Sequence, residues 1–151
     1  MSQSPPIDAR RRALALLARA QARELSGPLA RFWRDERARD LKPAETGLLM
    51  LRGRAGGDGA VFNLGEATVS RAVVELSTGE RGYGHALGRD LEQARRIAVL
   101  DALWQREREA VEDHVLAPIS ARLDAERAQT AAETAATRVE FFTLVRGEDA
   151  A

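Results

Sequence analysis

Thr68-Val-Ser-Arg-Ala-Val-Val-Glu-Leu-Ser-Thr-Gly-Glu-Arg-Gly-Tyr-Gly-His-Ala-Leu87 decides the fold class of this 151-residue chain. Residues 68–76 and 81–87 are too short and too rich in Val, Thr and Tyr for helices, so they read as strands. Ser77-Thr-Gly-Glu80 supplies the turn between them. Side chains alternate along a strand, so Tyr83, His85 and Leu87 share one face. Gly82, Gly84 and Ala86 leave the opposite face nearly bare, which lets a helix or a partner approach closely.

Upstream, Thr46 to Arg54 and Val61 to Glu66 are strand-like, with Gly53, Gly56, Gly57 and Gly59 forming the turn between them. Residues 45–87 therefore predict an antiparallel meander or hairpin pair. Helical periodicity flanks it. Asp8 is expected to cap a helix with Leu14, Leu17 and Leu25 on its apolar stripe; Gly27-Pro28 then interrupts, and Leu29, Phe32 and Trp33 begin a second segment. After the sheet, Asp90 and Gln93 make a capping-box-like start for a helix burying Ile97, Leu100, Leu103 and Trp104. Pro118 removes an amide donor and should kink or restart the next helix near Ile119.

The segment Arg138-Val-Glu-Phe-Phe-Thr-Leu-Val-Arg-Gly147 reads as a terminal strand with Val139, Phe141 and Val145 on one face and Phe142 and Leu144 on the other. Residues 126–137 before it are alanine-rich and polar, so that strand needs cover from elsewhere or from another protein. The predicted class is α+β: N-terminal helices, a small antiparallel sheet, C-terminal helices kinked near Pro118, and a terminal strand. The expected organisation is one domain over 1–151, with 119–147 a projecting helix-strand arm.

Composition excludes several functions. Lys and Arg number 23, Asp and Glu 23, and the arginines are scattered, which argues against a nucleic-acid partner. With no cysteine, the chain offers no disulfide, thiolate nucleophile or cysteine-ligated cluster. Arg19 ends the apolar run after Arg10-Arg-Arg below the ~7 residues a secretory core needs. No stretch suggests a membrane span, and a cytoplasmic location is expected.

Catalytic motifs are equally sparse. His85 and His114, the two histidines, lie on different elements, which argues against a histidine metal site. Serine lacks a nucleophile elbow. Gly53-Arg-Ala-Gly-Gly-Asp-Gly59 resembles a phosphate loop superficially, but Lys42 is the only lysine, and a hairpin turn explains the glycines. Arg89 and Asp90 sit where a strand end meets a helix start, a place that can hold an anion; the Asp90 carboxylate favours capping instead. Asp101, between Ile97 and Trp104, reads as a paired structural carboxylate before a catalytic base.

The strings Gly56-Gly-Asp-Gly-Ala-Val-Phe-Asn-Leu-Gly-Glu66, Thr68-Val-Ser-Arg71, Gly88-Arg-Asp90, Asp101-Ala102 and Phe141-Phe-Thr-Leu-Val-Arg-Gly147 together resemble the PhnG family, small subunits of the bacterial carbon-phosphorus lyase core complex. Val61 departs from a proline frequent in the family, and Ala72 from a cysteine. The resemblance implies an accessory, non-catalytic subunit needed to form ribose 1-phosphonate 5-triphosphate from ATP and an alkylphosphonate. It implies PhnI as the most direct partner, with PhnH and PhnJ completing a core of two copies of each subunit. It further implies that this chain binds no cofactor: ATP is the substrate of the complex, and the iron-sulfur cluster and S-adenosylmethionine belong to another subunit. No catalytic, cofactor-binding or metal residue is assigned. Phe62, Asn63, Glu66, Arg71, Arg89, Asp101, Phe141, Phe142 and Arg146 are the candidate interface or anion contacts. The competing reading is an independent small phosphate-handling hydrolase using Arg71, Arg89 and Asp101.

Overall fold

The structure, a computed structural model, describes residues 7–56 and 58–136. The chain divides into two compact units, Met1–Ala121 and Arg122–Ala151. In the first, helices α1 (Ile7–Leu17) and α2 (Ala22–Phe32) precede strands β1 (Ala38–Arg54), β2 (Val61–Leu76) and β3 (Arg81–Leu87). Helix α3 (Leu91–Arg106), the short α4 (Arg108–Val111), a π-helical turn (Glu112–Leu116) and α5 (Ala117–Ala136) follow. The strands form an antiparallel sheet in the order β1-β2-β3, as the glycine punctuation predicts. The described part of the second unit is the end of α5, exposed from Asp124 to Ala136. Among the described residues, no helix is long and apolar enough to cross a membrane.

Helix α3 is the core of the first unit. Every residue from Ile97 to Trp104 is buried, and α3 packs on β2 and β3 on one side and on α1 and α2 on the other. Between Ile97 and Trp104 the sequence is accordingly apolar apart from Asp101, while the charged residues gather toward the two ends of the helix. The bare strand face explains the close fit. A β-carbon added at Gly82 would fall 1.8 Å from the Ala98 carbonyl oxygen, and one at Gly84 would fall 1.8 Å from that of Ala94. Asp90 caps α3 by accepting the Gln93 amide at 2.9 Å. The reciprocal half of the capping box is absent, because the Gln93 side chain donates to the Ala20 carbonyl at 2.9 Å.

Several boundaries differ from the expectation. Asp8 lies inside α1, which begins at Ile7, so it faces the positive end of the helix dipole without being its cap. The break between the first helices falls at 18–21, where the Glu24 carboxylate accepts the Gln21 amide at 2.7 Å, and α2 continues through Gly27-Pro28. A proline there removes one helical bond, and burial of Leu25 and Trp33 on either side of it holds the segment. Strand β1 starts eight residues before Thr46, disguised by charged residues: Arg39 pairs with Glu75 at 2.8 Å and Asp40 with Arg95 at 2.8 Å. Register shifts flank Lys42, and Pro43 is accommodated there on an edge strand. β2 runs unbroken through Ala67. The break expected at Ala67 is absent, since Ala67 pairs with Leu49; the irregularity lies instead at Leu64, a bulge left where Leu51 pairs with Gly65 and Arg52 with Asn63.

The irregularity expected at Pro118 is a π-helical turn just before it. Ala117 donates to the Glu112 carbonyl five residues back, and Pro118 then has no amide to continue the pattern. The terminal strand expected over 138–147, and with it the strand half of the 119–147 arm, lies outside the described residues.

Candidate assembly surface

The sheet has one covered face and one open face. On β2, Ser70, Ala72, Val74 and Leu76 point at α3 and are buried. The alternate residues Arg71 and Glu75 lie on the open face with Tyr83, His85 and Leu87 of β3. That face carries ion pairs at its polar end. Glu45 is held by Lys42 at 2.7 Å and by Arg71 at 2.6 Å, and these two cations keep its carboxyl below the usual carboxylate range. Glu75 is likewise lowered by Arg39 and Arg81.

β3 covers β2 only from Val69 to Glu75, so the β1–β2 pair continues alone toward its turn as a two-stranded ribbon. The ribbon is apolar on both faces. Leu48 and Met50 alternate with Leu49 and Leu51 along β1, all four exposed, with Leu48 at 66%. Nearer the turn, on β2 opposite residues 52–54, Val61, Phe62 and Leu64 are exposed, Leu64 at 64%. A β-carbon at Gly53 would meet the Phe62 ring at 3.7 Å and Leu64 at 3.8 Å, so those two side chains gather over the glycine. Two-stranded ribbons are marginal in water, and single exposed apolar residues are ordinary, but a contiguous apolar patch of this kind marks an interaction site.

The candidate residues distribute unevenly. Phe62, Asn63 and Glu66 lie on the ribbon, exposed, and Arg71 lies further along the same strand. Arg89 is exposed in the β3–α3 connection, where the Asp90 carboxylate already accepts the Gln93 amide of α3. Asp101 is 1% exposed on α3, across the sheet from Arg71. Its two oxygens accept from Arg10 at 2.9 and 2.6 Å, and one also accepts the Tyr83 amide at 2.9 Å. The hydrogen bonding between Arg10 and Asp101 raises the Arg10 pKa above its usual value. Arg71, Arg89 and Asp101 thus do not converge on one site. Phe141, Phe142 and Arg146 lie outside the described residues. Arg10 was not legible as the partner of Asp101: it looks like one solvated arginine among Arg10, Arg11 and Arg12, and 91 residues separate the pair. Among the described residues, no group of three or more His, Asp or Glu could hold a metal.

The family profile described as phosphonate metabolism protein PhnG matches residues 8–147. This chain belongs to the PhnG family. A relative in Rhizobium meliloti (strain 1021), alpha-D-ribose 1-methylphosphonate 5-triphosphate synthase subunit PhnG, is 49% identical over 149 residues, covering 98% of this chain and 96% of the relative. That relative is one subunit of a synthase, so it works with partner subunits.

Proposed function

We propose that this chain is the PhnG-type accessory subunit of the enzyme that makes ribose 1-phosphonate 5-triphosphate from ATP and an alkylphosphonate in phosphonate degradation. Near full-length similarity to a named synthase subunit supports the reaction, and the apolar ribbon at Leu48–Leu51 and Phe62–Leu64 supports a role through assembly. The hydrolase alternative is disfavoured, because its three residues lie apart and Asp101 is committed to Arg10 and Tyr83. Within this reading PhnI is the direct partner, with PhnH and PhnJ in a cytoplasmic core of two copies each. ATP is bound as substrate by the assembled complex, and the iron-sulfur cluster and S-adenosylmethionine serve another subunit.

Reconstitution tests the proposal. The remaining subunits, ATP and methylphosphonate are incubated with and without the chain, and released adenine is measured. Adenine release should require the chain, while the chain alone releases none. Full activity in its absence, or activity of the chain alone, would overturn the accessory reading.

A further inference from the structure

An open cleft of about 520 Å³ lies beside α2 and α3, on elements other than the apolar ribbon. Trp33 and Val99 contribute apolar floor, and four arginines, Arg34, Arg37, Arg95 and Arg96, line it against a single carboxylate, Glu36. That carboxylate is already engaged by Arg106 at 2.6 Å. Arg95 is fixed in place by Asp40 at 2.8 Å and by the Ala38 carbonyl at 3.1 Å, and Arg96 pairs with Glu92. Arg34 and Arg37 make no ion pair or hydrogen bond among the described residues.

A neighbouring cleft has a different balance of charge. It is lined by Arg31, Arg34 and Arg106 against Asp35, Glu36 and Glu107, three of each sign. In the four-arginine cleft Asp40 and Glu92 offset Arg95 and Arg96 from outside the lining, and among the described residues Arg34 and Arg37 are left as unpaired cations, although the chain as a whole has no net charge. The ordinary reason for clustered cations, proximity to the negative end of a helix, accounts for Arg34 after α2. It does not account for Arg95 and Arg96, which lie in the N-terminal half of α3, nearer its positive end.

We infer that this cleft binds a polyphosphate chain. Guanidinium forks take phosphate oxygens two at a time, and two unpaired forks lining the same cleft as two anchored ones suit several linked phosphates better than one compact anion. The identity of the natural ligand rests on the function proposed above, in which the nucleotide and the product both carry a triphosphate. The binding itself is a property of this chain.

Inorganic tripolyphosphate is the probe, titrated into the full chain by calorimetry at low salt, with methylphosphonate as the single-anion arm. Saturable binding of tripolyphosphate, weakened by salt and much tighter than that of methylphosphonate, is expected. Arg34→Glu with Arg37→Glu should weaken it by at least about tenfold, the scale of one lost charge-assisted bond. Arg34→Gln with Arg37→Gln, which removes charge without reversing it, should also weaken it and covers a failure of the first pair to fold. Arg52→Glu with Arg54→Glu makes the same charge change on the ribbon and should leave affinity within about twofold. No saturable binding, equal binding of methylphosphonate, or an equal loss in the ribbon pair would overturn the inference. A chain that binds tripolyphosphate yet is dispensable for adenine release would sink the proposed function and leave the cleft standing.

Discussion

Gly82 and Gly84 carry more of the fold than their size suggests, because α3 rests directly on their backbone. Gly82→Ala or Gly84→Ala places a methyl group within 1.8 Å of a helix carbonyl, so sheet and helix must separate. Each should cost about 3 kcal/mol or more, at the upper end of overpacking, read as a shift in denaturant midpoint. Asp101 is a second such residue. Arg10→Met leaves its buried carboxylate with only the Tyr83 amide and should cost about 3 kcal/mol, whereas Asp101→Asn, which keeps an acceptor for that amide, should cost less. Glu107 gives a pH signature. Its carboxylate accepts from the Trp33 indole at 2.9 Å and from Arg106 at 2.7 Å, and these bonds, Trp33 first, lower its pKa. A lowered folded-state pKa stabilises the protein above the unfolded-state value, and that stabilisation is lost as pH falls through the folded value. Glu107→Gln should therefore destabilise at neutral pH, and its difference from the wild type should close in acid. Denaturant unfolding at both pH values measures this, and a gap that widens in acid would contradict it.

Among the elements, legibility followed the source of stability. Helix α3 could be read from sequence because apolar spacing and its Asp90 cap agree. β3 could be read because its bare face signals close approach. The first half of β1 could not, since it is held by ion pairs from Arg39 and Asp40 to other elements, and no hydrophobic period marks it. The break expected at Ala67 does not occur, because Ala67 pairs with Leu49, and the real irregularity of β2 is the bulge at Leu64 beside Gly65. On the ribbon, Phe62, Asn63 and Glu66 stand out in the sequence and are exposed, but the exposure of Leu48 to Leu51 was not legible, because an apolar strand predicts burial until its neighbours are known. The ribbon should behave as the least stable part of the sheet. In hydrogen exchange on the free chain, amides of 48–54 and 61–66 should exchange much faster than those of 69–76, and assembly should protect them. Equal protection in both regions of the free chain would mean that the ribbon already has cover.

For the whole molecule, α3, the covered face of the sheet and the N-terminal helices make a core that does not depend on the ribbon, so assembly and folding should be separable. Phe62→Ser with Leu64→Ser changes two exposed side chains and should leave the thermal midpoint of the free chain nearly unchanged. If the ribbon is the docking element, the same pair removes two apolar anchors, each worth about 2 kcal/mol or more in a well-packed interface. The most direct test of the account is native mass spectrometry of the tagged chain coexpressed with the other synthase subunits. The wild type should be recovered in a multi-subunit complex and the double variant as a folded free chain, whereas an intact complex with the double variant would contradict assembly through the ribbon.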